Sequence, residues 1–246
     1  MSNEMADGPA PGHPGIWRVM ADNPGPMTLT GTNTYLYGSD PCWVIDPGPE
    51  IEAHIDRVKA AIDRRGGAAG VLLTHSHADH TGGIEMLGIE PVPLTDGDVN
   101  GGLEAVATPG HSTDHVCFFT EEGVCFSGDL ILGWGSTYVP PDGGSLAAYM
   151  LSLRLIQSRG PSLICPGHGP WITDPGAKVT EYIEHREARE NGLLAALDQG
   201  ERSRMALLEE VWSDVPEELR PAANVVMEAH LQKLEAEGRL PDDLAE

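Results

Sequence analysis

Between Thr74 and Gly83 the chain reads Thr-His-Ser-His-Ala-Asp-His-Thr-Gly-Gly, which crowds three imidazoles and a carboxylate into one short stretch. An apolar run, Val71–Leu73, leads into it, so the cluster sits on the loop where a strand stops. In a turn this tight, alternate residues point to one side. His75 and His77 therefore converge on one point, while Asp79 and His80 face a neighbouring one. Imidazole and carboxylate ligands suit zinc, and also iron or manganese. The plain alternative is a His-rich surface loop, which does not require such density.

Three later positions repeat the pattern. His111 follows the strand-like run Leu103–Ala107 in Thr108-Pro-Gly-His-Ser-Thr-Asp-His115. Asp129 ends Val124-Cys-Phe-Ser-Gly-Asp, and His168 lies in Cys165-Pro-Gly-His-Gly-Pro170. Each is a ligand-type side chain on a turn at a strand end. Alone, each has a simpler reading as a capping Asp or a surface His. Together they describe a two-metal site at the edge of a sheet.

The surrounding sequence supplies those strands. Short runs rich in β-branched and aromatic residues, bounded by Gly, Pro or Asp, occur at Ile16–Met20, Thr34–Tyr37, Cys42–Ile45, Val71–Thr74, Leu103–Ala107, Val116–Phe119, Val124–Phe126 and Leu163–Cys165. Ile51–Arg64 has apolar residues at helical spacing, and Ser145–Gln157 does likewise with Ser145 as its N-cap. Two sheets packed face to face with helices outside follow from this mixture. After Pro175 strand signals vanish. Gly192–Leu197, Ser203–Trp212 and Glu217–Glu237 read as three helices, split by Gly200 and Pro216. The expected organisation is a flexible lead-in over 1–15, a main domain over 16–190 and a helical appendage over 191–246.

Order and spacing of these seven residues resemble the metallo-β-lactamase superfamily over Ile16–Pro170, which implies an αββα sandwich of the α+β class. By that resemblance His75, His77 and His111 hold a first metal, Asp79, His80 and His168 a second, and Asp129 bridges them. Two Zn2+ are implied, with Fe or Mn as alternatives. Asp46, in Val44-Ile-Asp-Pro-Gly48, matches an early Asp that supports the metal loop by hydrogen bonding; a turn-forming Asp is the competing reading. The segments Thr32–Tyr35, Ser127–Gly133 and His185–Glu190 are similar to the lactamase-beta-2-like group, in which the tail is winged-helix-like. The expected activity is a hydrolase that uses a metal-bridging hydroxide, oriented by Asp79, on an ester, amide or phosphodiester. Asn33, Trp134 and Tyr138 are candidate pocket residues, the last two on a Gly/Pro-rich loop after Asp129. His115 is a candidate proton donor or simply a strand cap.

Composition narrows the substrate. With 38 acidic and 15 basic residues the net charge is −23, which repels phosphate backbones and anionic membranes. Residues 181–246 hold 17 acidic and 7 basic side chains, a net of −10. That composition argues against the RNA cleavage that the lactamase-beta-2-like resemblance brings in, and against a nucleic-acid-binding winged-helix regulator. The candidate reading helix, Ala222–Glu235, has a core-facing stripe instead. β-Lactam hydrolysis, endoribonuclease action on single-stranded RNA and glyoxalase-II-like thioester hydrolysis all stay open, with a small molecule or a short single-stranded nucleic acid as substrate. The tail is expected to serve packing or homodimerisation. No apolar run is long enough to span a bilayer and the start of the chain does not read as a secretory signal, so no membrane partner and a cytoplasmic location are expected. The four cysteines are widely spaced and expected to be reduced.

Overall fold

The computed structural model describes residues 6–244. Strands β1 (Gly8–Ala10), β2 (His13–Met20), β3 (Asn33–Tyr37), β4 (Cys42–Ile45) and β5 (Ala68–Leu72) form one sheet in that order. The second sheet orders β10 (Leu163–Pro166), β9 (Val124–Gly128), β8 (Val116–Thr120), β7 (Leu103–Ala107) and β6 (Val99–Asn100). Neighbours are antiparallel except β4 with β5 and β9 with β10. Those parallel pairs need crossovers, which are α1 (Glu52–Asp63) and α4 (Leu146–Arg159).

Because side chains alternate along a strand, each sheet presents two apolar faces, and both are covered. Tyr35, Ile45 and Leu72 point inward to meet Ala105, Phe118, Phe126 and Leu163 of the other sheet. Their sequence neighbours Leu36, Val44 and Val71 point outward onto Val58 and Ile62 of α1. On the other side Val106, Phe119 and Ile164 point onto Leu153 and Ile156 of α4 and Val179 of α5 (Pro175–Asp198). Helix starts are chemically marked. Ser145 accepts the Ala148 N–H, and Asp174 accepts the Ala177 N–H ahead of Pro175 at the first helical position.

Two organisational expectations need correction. Residues 8–15 are not a lead-in: β1 pairs with β2 and Ala10 is buried in the sandwich interior. Residues 1–5 lie outside the described residues. At the other end, a break at 190/191 does not exist, because α5 runs unbroken through Gly192. A Cβ on Gly192 would lie 3.0 Å from the Val211 side chain, so the glycine marks a close helix crossing rather than a helix start. The tail then folds as α6 (Arg204–Val211), a single 3-10 turn (Glu217–Leu219) and α7 (Arg220–Ala236) around Leu193, Leu207, Trp212, Met227 and Leu231. Four short elements escape sequence reading: β1, β6, α2 (Ala78–Thr81) and α3 (Ile84–Leu87).

Candidate metal centre

All seven ligand-type residues gather where the strands of both sheets end. β5 delivers His75 to His80, β9 delivers Asp129, β10 delivers His168, and the β7–β8 connection delivers His111. His77 Nδ1 lies 3.1 Å from His75 Nε2 and 3.0 Å from His111 Nε2. A second set forms beside it, with His168 Nε2 at 3.2 Å and His80 Nε2 at 3.5 Å from Asp79 Oδ2. Asp129 stands between them. Its Oδ1 is 3.3 Å from His168 Nε2 and 3.4 Å from His80 Nε2, while its Oδ2 is 3.7 Å from His111 Nε2. One carboxylate thus offers an oxygen to each set.

The outer nitrogens decide what the inner ones can do. His111 Nδ1 faces the Tyr138 carbonyl at 2.6 Å, and His168 Nδ1 faces the Gly31 carbonyl at 3.2 Å. Carbonyls only accept, so both Nδ1 atoms carry a proton, which leaves Nε2 of each ring as the nitrogen open to a cation. His80 Nδ1 is held likewise by Asp46 Oδ2 at 2.9 Å. Thr74 Oγ1 donates to Asp46 Oδ2, leaving its oxygen to accept from His75 Nδ1 at 3.0 Å. Four rings are therefore fixed in the tautomer that a cation requires, by the kind of outer contacts that orient metal ligands. Lone pairs that face each other at about 3 Å repel unless something positive lies between them. His80 Nε2 and Asp129 Oδ1, both buried, lack a hydrogen-bond partner. The donor set fits a pair of borderline cations such as zinc.

Electrostatics agree with that fit. Burial, reinforced by the neighbouring His80 charge, pushes the His75 pKa down to about 2, so its ring is a neutral donor at neutral pH. Burial also opposes charge on His168, but Asp129 and Asp79 outweigh it and lift the pKa to about 9. His80 is raised well above its ordinary value, against burial, by Asp129 and Asp46. Burial raises Asp79, yet the His168 hydrogen bond and the His80 charge win and hold it at about 2. A cation entering the second set must displace protons from His80 and His168, so its affinity falls as pH falls.

Local backbone chemistry permits this crowding. Asp46 adopts φ 51°, a left-handed conformation unusual outside glycine, and from there accepts both the Thr74 N–H and the Thr74 hydroxyl at 2.7 Å. Gly167 is required by space, since a Cβ there would lie 2.4 Å from Asp129 Oδ1 and 2.8 Å from His80 Cε1.

Sequence reasoning placed Asp46 in its supporting position and misplaced Asn33. Asn33 is fully buried in β3 and does not face the pocket. Its amide donates to the Pro166 and Gly169 carbonyls at 2.9 Å, clamping the loop that carries His168. His115 lies beneath the centre, with Nδ1 2.8 Å from Thr108 Oγ1 and its ring against His75. Trp134 and Tyr138 do line the cavity at the centre's mouth. Two contributors went unseen: Thr32, whose hydroxyl donates to Asp79 Oδ2 at 3.4 Å, and the C-terminal wall that includes Arg189 and Trp212. The only sequence signal for that wall was the His185–Glu190 segment.

Residues 27–92 and 90–168 match the family model described as the metallo-beta-lactamase superfamily. The chain belongs to the metallo-β-lactamase superfamily. Within this superfamily of hydrolytic enzymes it is 35% identical to the Drosophila melanogaster protein named Beta-lactamase-like protein 2 homolog, over 92% of this chain and 89% of that one. It is 36% identical to an atrochrysone carboxyl ACP thioesterase of Aspergillus fumigatus, over 78% of this chain and 67% of that one. A solved β-lactamase domain protein from Burkholderia ambifaria shares the fold with a TM-score of 0.78 at 22% identity, over 96% and 93% of the two chains. Residues 203–243 match the Beta-lactamase associated winged helix domain. No helix among the described residues is long and apolar enough to cross a membrane.

Proposed function

We propose that this chain is a binuclear-zinc hydrolase that cleaves an acyl ester, thioester or amide bond. The observation that carries the reading is Asp129, one oxygen toward His80 and His168 and the other toward His111. That arrangement supports two cations held side by side, with the carboxylate between them. His75, His77 and His111 would hold one, Asp79, His80 and His168 the other, and Asp129 both. Two such cations supply a water acidified to near neutrality and a Lewis acid for the oxygen under attack.

The protein's own residues then direct the chemistry. Asp79 is the carboxylate with more exposure to the cavity, ionised at neutral pH, and anchored by Thr32 and His168. It is placed to orient a water and to receive its proton. The Tyr138 carbonyl and Asp46 keep His111 and His80 aimed inward as substrate comes and goes. The thioesterase relative supports an acyl substrate, and the strong negative charge speaks against phosphodiester chains. Four buried free thiols, Cys42, Cys117, Cys125 and Cys165, fit a reducing, cytoplasmic setting.

The test pairs metal analysis with Asp79→Ala. Protein purified without added zinc should carry close to two ions per chain, and a chelator should stop hydrolysis of p-nitrophenyl acetate until zinc is restored. Metal-loaded Asp79→Ala should lose roughly a hundredfold or more in kcat while keeping its melting temperature. Full turnover by chelated protein, or by that variant, removes the reading.

A further inference from the structure

A cavity of about 520 Å³ opens at the metal centre and does not stop there. At one end lie His77, Asp79, His111 and His168. The far wall belongs to the C-terminal helices and is built from Trp212, Val215, Leu219, Ala222, Ala223 and Val226. Met27, Leu29 and Trp134 close the sides. The metal-facing groups are therefore gathered at one end, and the far wall is mostly hydrocarbon and indole, with His185, Arg186 and Arg189 beside it.

The cations in the lining do not change this. Arg189 is paired with both carboxylate oxygens of Asp214 at 2.8 and 2.9 Å, donates to the Val211 carbonyl, and lies over the Trp212 ring at 5.3 Å. Arg186 is buried, donates to the Thr137 carbonyl and lies over the Tyr149 ring. Both are committed to holding the wall in place. A phosphate chain laid along this cavity would lose its hydration against apolar side chains, while the Arg189 charge is already met by Asp214 and Arg186 is buried over the Tyr149 ring.

We infer that α7 and the segment before it supply an apolar subsite for the acyl part of the substrate, an ester or thioester of an extended apolar carboxylic acid. The inference rests on the hydrolase reading above and adds which part of the molecule selects the substrate. Water's oxygen bonds to the carbonyl carbon, the C–S or C–O bond breaks, and a water proton ends on the departing thiol or alcohol. The acyl chain, seated against Trp212 and Val226, holds the carbonyl at the centre throughout. Cavity size and lining match those of small-molecule pockets.

The test uses zinc-loaded full-length protein and p-nitrophenyl esters from acetyl to decanoyl, with a short single-stranded RNA alongside. kcat/KM should climb roughly threefold to fourfold per methylene until the cavity is full. Ala222→Phe, which projects a ring from α7 into the cavity, should cut the octanoyl ester by roughly tenfold or more and leave the acetyl ester within about twofold. Leu219→Ala, at a half-exposed wall position, should shift the profile in the same direction by removing contact, so misfolding of the first variant leaves the test intact. A flat chain-length profile, an equal loss on acetyl and octanoyl esters, or RNA cleaved better than the octanoyl ester overturns the inference. Absence of any ester turnover counts against the hydrolase reading instead. The subsite is therefore read separately, by titrating metal-free protein with octanol and following tryptophan fluorescence. A saturable change that Ala222→Phe weakens roughly fivefold or more is expected; no saturable change in the wild-type protein overturns the subsite.

Discussion

His230 is fully buried on α7, against the Trp212 ring, and neither ring nitrogen has a hydrogen-bond partner. It works in the packing as an apolar ring. Burial, with Arg186 and Lys233 nearby, lowers its pKa to about 3 from 6.5. The native state therefore refuses a proton that the unfolded chain accepts, so the contribution of this site is intact above pH 6.5 and is lost as pH falls toward 3. At pH 5 the site should cost about 2 kcal/mol of stability. His230→Met, of similar volume and without charge, should show a smaller fall in melting temperature between pH 7 and pH 5 than the wild type. Equal falls would mean that other groups carry the acid sensitivity. Local pattern explains why His75, His77, His80, His111 and His168 stood out in the sequence and His230 did not. The former sit on strand-end turns beside other ligand-type residues, whereas an isolated His on an apolar helical stripe looks like any core residue.

Loops at strand ends shape most of the centre, with Asp79 and His80 on the single turn of α2. The turn Pro166-Gly167-His168 is pressed against Asp129 and held by the Asn33 amide. Gly167→Ala would force a methyl to within 2.4 Å of Asp129 Oδ1, so the turn or the carboxylate must move. The expected result is loss of bound metal from about two ions toward one or none, with about 1–3 kcal/mol of destabilisation. Metal content and thermal melting measured together check it, and an alanine variant with two ions and wild-type stability would show the turn to be slack. Strand boundaries were mostly legible because a doubly covered sheet needs continuous apolar runs. The short helices α2 and α3 were not, since neither completes enough turns to show a period.

For the molecule as a whole, a net charge of −23 is the dominant long-range term. Self-repulsion of this size destabilises the compact state and weakens as salt screens it. Raising NaCl from roughly 0.01 to 0.2 M should lift the melting temperature of the metal-loaded protein by about 2–4 °C. A flat or falling melting temperature would show that local ion pairs, such as Lys233 with Glu190 and Glu237, offset the excess. The cavity also belongs to this scale. Its polar end comes from the sandwich and its apolar end from helices more than forty residues later in the chain, joined through Tyr138, whose carbonyl orients His111 while its ring packs on the C-terminal core.

Residue type and local spacing were enough to read the sandwich, the gathering of seven ligand-type side chains and the helical tail. Each depends on short-range chemistry: alternation along a strand, the donor preference of a cation, the cap of a helix. Three features needed the folded molecule. Asn33 became a loop clamp because β3 turns it inward, Gly192 proved to be a helix crossing because Val211 packs on it, and the apolar cavity wall arose because α7 docks opposite the centre. Contacts between distant segments are set by how faces pack, and no local pattern in the chain encodes which face meets which.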